Sequence, residues 1–356
     1  MGIGVTPVPE VRKIRLSSGL DVSFRFLGRD SRKAVVLVHG NLSSSLIWED
    51  LMSKIPGEFD VVAPDLRGFG DSGRMGVDAT RGLGDFAADV LELLANLRYD
   101  SYVLVGHSMG GGVVLQALLE SPRNVNVEKI VLVDPMSPYG FGGTKDEFGT
   151  PCYNDYAGSG AGLVVKYNPD FIRLLKAKYT GTDHPSAPAN VARTFFAEDY
   201  VISESLRGKL LEMLFKAEVG EDNYPGDYVE SPNWPYVAPG SRGVLNAMSP
   251  KYLRLRGVLD LANKPPILWI HGTKDMIVAD NSPLDIAVLG LAGYIPGYPG
   301  PEKFPPQPMV RQIRSFLDEY TSKGGTYERV FIEGAGHTPF IEKPNEFMEK
   351  FAEFID

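Results

Sequence analysis

Cysteine is nearly absent: Cys152 is the single one among 356 residues. An internal disulfide framework is excluded, a reducing compartment is compatible, and Cys152 reads as a small loop residue. Long apolar runs are missing too, so no segment is suited to span a membrane. There is no basic excess: 36 Lys and Arg face 45 Asp and Glu, for a net charge of −9. Neither nucleic acid nor an anionic membrane surface is favoured as a partner. The opening stretch MGIGVTPVPEVRKIRL has no basic segment followed by an apolar one. No secretory signal peptide is visible there, and the cytoplasm is the expected location. Internal repeats and low-complexity tracts are absent as well.

What is present is ordinary globular composition, 43% hydrophobic and 23% charged. The length suits one large domain with an insertion, or two domains. Residues 11–17 and 20–26 read as a hairpin around Ser18-Gly19. Ala34–Val38, Phe59–Ala63, Tyr102–Val105, Lys129–Val133, Pro266–Ile270 and Tyr327–Ile332 are short apolar runs rich in β-branched residues. Runs without polar alternation belong to a sheet covered on both faces. Between them, Asp85–Leu97 and Met309–Tyr320 have helical apolar spacing, and Pro344 opens a C-terminal helix carrying Phe347, Phe351 and Phe354. The expected fold is α/β, with a mostly parallel, doubly wound central sheet.

Two regions break the alternation. From 137 to 263 no buried strand is visible; 168–179, 191–200 and 204–218 look helical amid Gly, Pro and aromatics. This reads as an inserted, mainly helical cap, leaving 1–136 and 264–356 as the core. Residues 280–308 form a Pro- and Gly-rich excursion, which fits either a pocket wall or flap, or a surface segment packed on the sheet edge.

The chemistry centres on YVLVGHSMGGG at 102–112. An apolar strand, a tight turn and a helix, with Ser108 at the apex, make a nucleophile elbow. The turn forces Ser108 into a strained conformation while strand and helix pass close by, and Gly106 and Gly110 remove the Cβ atoms that would clash. Serine needs a base, and the base needs an orienting carboxylate. Of the five histidines, His39 braces a loop, His107 points away from the reacting face of Ser108, His184 is solvated and His271 is structural. His337, in the Gly-rich turn after the last strand, is the expected base. Asp275 and Asp134 both follow strand ends and compete as the acid; Asp275 has the better loop, HGTKD, and follows the insertion. Asp65, in PDLRGFGDS, holds its loop through Arg67 or backbone N–H groups. An oxyanion hole would use the N–H of Met109 and that of Asn41, with Leu42 as second choice.

Taken together, HGN at 39–41, PDLRGFGDS at 64–72, GHSMGG at 106–111, DP at 134–135, HGTKD at 271–275 and GAGHTPFIEKP at 334–344 resemble the α/β-hydrolase-fold serine hydrolases. The resemblance covers the core, roughly 1–136 and 264–356. It implies a triad of Ser108, Asp275 and His337, an acyl-enzyme mechanism, and no requirement for a metal or organic cofactor. Epoxide hydrolases and haloalkane dehalogenases of this fold carry Asp at the elbow, and Ser108 argues against both. Residues 280–308 exceed the usual length between the acid and the last strand.

Aromatics of the insertion, including Phe141, Trp234 and Tyr236, with Met136 at its start, and Leu42 of the turn after the strand 34–38, are candidates to line an apolar pocket. No cationic cluster marks an anion site. The expected reaction is hydrolysis of a small to medium, mainly apolar carboxylic ester. Lactone or carbon–carbon bond hydrolysis are the alternatives on the same triad. A ligand-binding receptor with a slow or vestigial triad is the alternative from another class, and would lose its ligand stoichiometrically.

Overall fold

A computed structural model describes residues 8–356; of the stretch 1–16, in which no signal peptide is visible, the first seven residues lie outside the described residues. Eight strands form the central sheet: β1 (Glu10–Arg15), β2 (Asp21–Leu27), β3 (Lys33–Val38), β4 (Asp60–Pro64), β5 (Ser101–His107), β6 (Val127–Val133), β7 (Ile267–Gly272) and β8 (Tyr327–Ile332). Their spatial order is β1-β2-β4-β3-β5-β6-β7-β8. β1 and β2 pair antiparallel, β2 meets β4 antiparallel, and every later pairing is parallel. Each strand residue of β5 and β7 is buried, as their apolar runs require; β8 is an edge strand and exposes one face, with Phe331 42% accessible.

Helices Gly84–Leu97 and Met109–Glu120 pack on each other and on the sheet. Met309–Ser322 buries Met309, Ile313, Phe316, Leu317 and Tyr320 at helical spacing, and Pro344–Ile355 buries Phe347, Phe351 and Ile355. Pro at the first helical position suits the latter, because its missing N–H would have had no partner there. Among the described residues, no helix is long and apolar enough to cross a membrane.

The segment between β6 and β7 holds helices Gly162–Tyr167, Pro169–Lys176, Pro188–Arg193 and Glu204–Phe215, plus four strands of two or three residues. One of its helices differs from the sequence reading. Pro188–Arg193 replaces 191–200 because Arg193 folds onto the carbonyls of Phe196, Ala197 and Glu198 and ends the helix. The buried residues Phe171, Leu175, Ala192, Phe196, Leu210, Met213 and Leu214 join the main core rather than a separate one. The 280–308 excursion packs on the inserted segment, not the sheet edge. Ile286, Ile295 and Phe304 form a satellite cluster with Trp234, beside half-buried Cys152, Tyr153 and Tyr298. A six-residue helix, Ile286–Leu291, lies within it.

Beneath the sheet's C-terminal edge, Arg67 is clamped in a buried ion network. Its guanidinium grips Asp89 at 2.6 and 2.7 Å and reaches Asp85 at 3.2 Å, all three residues being buried. Asp65 does not use Arg67; it accepts the N–H groups of Ser45 (2.7 Å) and Asp71 (2.9 Å). Removing one member leaves a buried charge uncompensated. Asp89→Ala is expected to cost about 3–5 kcal/mol in urea unfolding. Asp21→Ala, which breaks an exposed pair with Arg15, is expected to cost under about 1 kcal/mol.

Candidate active site

β5 delivers the chain into a turn where Ser108 has φ 55° and ψ −121°, outside the conformations a side chain prefers. The turn survives because its neighbours are glycines: a Cβ on Gly106 would strike the Gly110 carbonyl, and one on Gly110 would strike the Val38 carbonyl. Ser108 N–H donates to Val133 O (3.0 Å), and Ser108 O accepts from Met136 N–H (3.0 Å). The strained residue is thereby tied to β6. Helix Met109–Glu120 begins at once, so its free N-terminal N–H groups and dipole face the apex.

Opposite lies the turn after β3. A Cβ on Gly40 would meet the Ser108 Cβ, so this turn touches the elbow. His39 fixes it: Nδ1–H donates to Gly40 O (2.7 Å) and Nε2 accepts the Leu66 N–H (3.0 Å). Burial holds His39 below the ordinary imidazole range. Among the described residues, the N–H groups of Asn41, Leu42 and Met109 meet no protein acceptor.

β7 and β8 run parallel, with Gly272 beside Ile332. The loops that follow are laced by Lys274 N–H to Ala335 O (2.8 Å) and Gly334 N–H to Thr273 Oγ1 (2.9 Å). Asp275 Oδ1 accepts the N–H groups of Ile277 (2.7 Å) and Val278 (3.1 Å), and Oδ2 accepts His337 Nδ1–H at 2.8 Å. Proton on Nδ1 leaves His337 Nε2 bare, the state a general base needs. Burial opposes charge on Asp275, but the charge and hydrogen bond of His337 outweigh it and hold the carboxyl below its ordinary value. His337 bonds Asp275 and not Ser108 Oγ among the described residues; such contacts tighten when substrate binds.

Asp134 does not reach His337. Its Oδ1 accepts Gly272 N–H (2.8 Å), and His271 Nδ1 lies 3.4 Å away. Burial, then the Asp275 charge, push Asp134 well above the ordinary carboxylate range. The negative charge of the pair therefore resides on Asp275. Donor atoms of Asp134, His271 and Asp275 fall within 4.8 Å of one another. Gly272 N–H, Val278 O, Ile277 N–H and His337 engage Asp134 Oδ1, His271 Nε2 and both Asp275 oxygens, while Asp134 Oδ2 and His271 Nδ1 are buried without a partner among the described residues. The commitment of both Asp275 oxygens suits a structural cluster better than a metal centre.

Sequence reasoning missed Glu342. This buried carboxylate accepts Gly336 N–H (3.0 Å), Thr338 Oγ1–H (3.1 Å) and Ala197 N–H (2.8 Å), so it ties the His337 turn to the inserted segment. Its only signal was its position in HTPFIEKP. Phe195 places its ring 6.3 Å from that of His337. Of the candidate pocket residues, Leu42 and Met136 adjoin the elbow: Leu42 follows Asn41 with φ 54°, and Met136 packs over Gly112. Phe141 is half-buried against the main core. Trp234 and Tyr236 contact the 280–308 excursion. Trp234 donates to Pro296 O (3.0 Å) within the satellite cluster, and Tyr236, 42% exposed, lies beside Gly297. That partnership with 280–308 is not readable from local sequence. His184 is part-exposed, 3.6 Å from Asp170.

A mostly parallel sheet with its elbow on the strand between β3 and β6 defines a class of proteins. The chain belongs to the alpha/beta hydrolase family, whose model matches residues 35–350. An uncharacterised protein of Mycobacterium tuberculosis is 33% identical over 125 residues, 35% of this chain and 35% of that protein. The soluble epoxide hydrolase of Corynebacterium sp. strain C12 is 35% identical over 102 residues, 28% of this chain and 34% of that enzyme. The chain thus aligns with about a third of the length of these curated relatives. An esterase from Exiguobacterium antarcticum superposes with a TM-score of 0.58 at 19% identity, over 97% of this chain and 99% of that one, a likeness of fold.

His107 offers a test of the site's packing. Its Nε2–H donates to His337 O (2.7 Å), its Nδ1 is buried without a partner, and burial pulls its pKa to about 3 from the ordinary 6.5. Between those values the unfolded chain binds a proton that the folded chain refuses. Stability from this group is complete above about pH 6.5 and drains as pH falls through the window. Urea melts should show the native protein losing about 1.4 kcal/mol per pH unit relative to His107→Gln below about pH 6. Parallel curves would contradict a neutral, buried His107.

Proposed function

We propose that this protein is a serine hydrolase that cleaves carboxylic esters of small to medium, mainly apolar substrates through an acyl-enzyme. The 2.8 Å bond from His337 Nδ1 to Asp275 Oδ2 carries this reading, set beside a strained Ser108 and unpaired N–H groups of Asn41 and Met109. Ser108 attacks the ester carbonyl as His337 Nε2 takes its proton. The Asn41 and Met109 N–H groups receive the oxyanion. His337 then protonates the departing alcohol, and water activated by His337 releases the acid. Asp275 stays ionised and holds the imidazole. Serine at the elbow favours ester over epoxide chemistry, although an epoxide hydrolase is among the relatives. Residues 137–263 serve as a lid over a core of 1–136 and 264–356. Leu42 and Met136 border the acyl pocket.

A panel of p-nitrophenyl esters of rising chain length tests the reading. Turnover is expected over one range of lengths, falling about 10⁵-fold or more in Ser108→Ala. Turnover preserved in Ser108→Ala would end the proposal. Asp275→Asn is expected to lose on the order of 10³–10⁴-fold in kcat, and Asp134→Asn, which keeps an acceptor for Gly272, far less. The reverse order would move the orienting role to Asp134.

A further inference from the structure

Helices Pro188–Arg193 and Glu204–Phe215 flank a half-open cavity of about 280 Å³. Ile202 and Leu210 give it an apolar wall; Thr182, Asn190, Arg193 and Arg207 give it a polar one, and no carboxylate lines it. Carboxylates outnumber Lys and Arg in this chain, 45 to 36. Yet among the described residues neither arginine forms an ion pair, and both spend donors only on carbonyls. Arg193 binds Phe196 O (3.3 Å), Ala197 O (2.9 Å) and Glu198 O, which fixes its guanidinium. Arg207 binds Thr180 O at 3.3 Å. Asn190 braces the wall through Thr182 O (3.0 Å) and His184 O (2.8 Å). The Nε of Arg193, the Nε and Nη1 of Arg207 and the Thr182 hydroxyl remain unspent. Two half-buried guanidinium groups with free donors and no counter-charge make a positive field over an apolar floor.

The cavity also has a place relative to Ser108. Phe195, two residues beyond Arg193, packs toward His337, and its carbonyl lies 3.3 Å from Thr338 Oγ1, the hydroxyl that donates to Glu342. On the other wall Met213, one turn beyond Leu210, contacts Ser43 Oγ at 3.6 Å, next to the Asn41-Leu42 turn. The segment just after the first helix thus approaches the base, and the second helix approaches the oxyanion turn. We propose that this cavity is a substrate subsite for a carboxylate. The substrate would be an amphiphilic ester whose apolar body runs to Ser108 while its remote acid rests between Arg193 and Arg207. This deepens the ester-hydrolase reading and rests on it. The sequence showed no cationic cluster because the two arginines belong to different helices that only the fold brings round one cavity.

The test compares p-nitrophenyl butyrate with mono-p-nitrophenyl glutarate and suberate, which carry a free terminal carboxylate. Arg207→Gln is expected to lower the charged-to-neutral ratio of kcat/KM about tenfold, mainly through KM of the charged ester. Arg207→Lys should keep more of that ratio, and salt should erode it in the native protein. Glutarate and suberate alone supply a readout that needs no turnover: each should raise the Tm of the native protein and not that of Arg207→Gln. Charged and neutral esters falling together, or no Arg207-dependent Tm shift, would overturn the subsite. An Arg207-dependent Tm shift with no ester turnover and no fluorophosphonate labelling of Ser108 would retain anion binding but overturn the substrate role, and the ester-hydrolase reading with it.

Discussion

The hydrogen bond between His337 and Asp275 is the constraint around which this half of the molecule is built. A carboxylate so deep in the protein is tolerated only if hydrogen-bond donors converge on it. Here they come from the two loops that end β7 and β8. Those loops stay in register because the strands beneath them pair in parallel up to their last residues. The neighbouring Asp134 yields its charge to Asp275, so one buried negative charge serves the pair. Sheet register, loop lacing and carboxyl electrostatics are in this sense one requirement.

The inserted segment is not an independent layer. Its apolar faces merge with the main core, and Glu342 accepts N–H groups from both the His337 turn and Ala197. Displacing residues 196–197 would remove one of the bonds that orient this carboxylate, and with it some of the order of the His337 turn. Access to the site and alignment of its imidazole therefore draw on the same side chain.

Much of the fold was legible because apolar β-branched runs have few other uses. β3, β5, β6 and β7 lie within two residues at either end of where their sequences put them. The positions of Ser108, Asp275 and His337 were legible for a different reason: sharp turns at strand ends demand particular residues. What stayed hidden depends on partners distant in sequence. That Trp234 packs on Tyr298 and Phe304, in the excursion far along the chain, is one such feature. The end of helix Pro188–Arg193 was obscured by apolar residues 195, 196 and 200, which mimic a continuing helix. Gly162–Tyr167 was hidden by the glycines around it. The Arg193–Arg207 cavity exists only once two helices meet.

The satellite cluster gives the chain's one thiol an unusual character. Cys152 is half-buried there, and burial, followed by the charge of Asp285, pushes its pKa up to about 12. Thiolate is the reactive form, so burial slows attack by alkylating and oxidising reagents at neutral pH. Any displacement of the excursion from the inserted segment would restore the sulfur's ordinary reactivity. The rate of its modification then becomes a clock for that opening, read at a single atom without any added label.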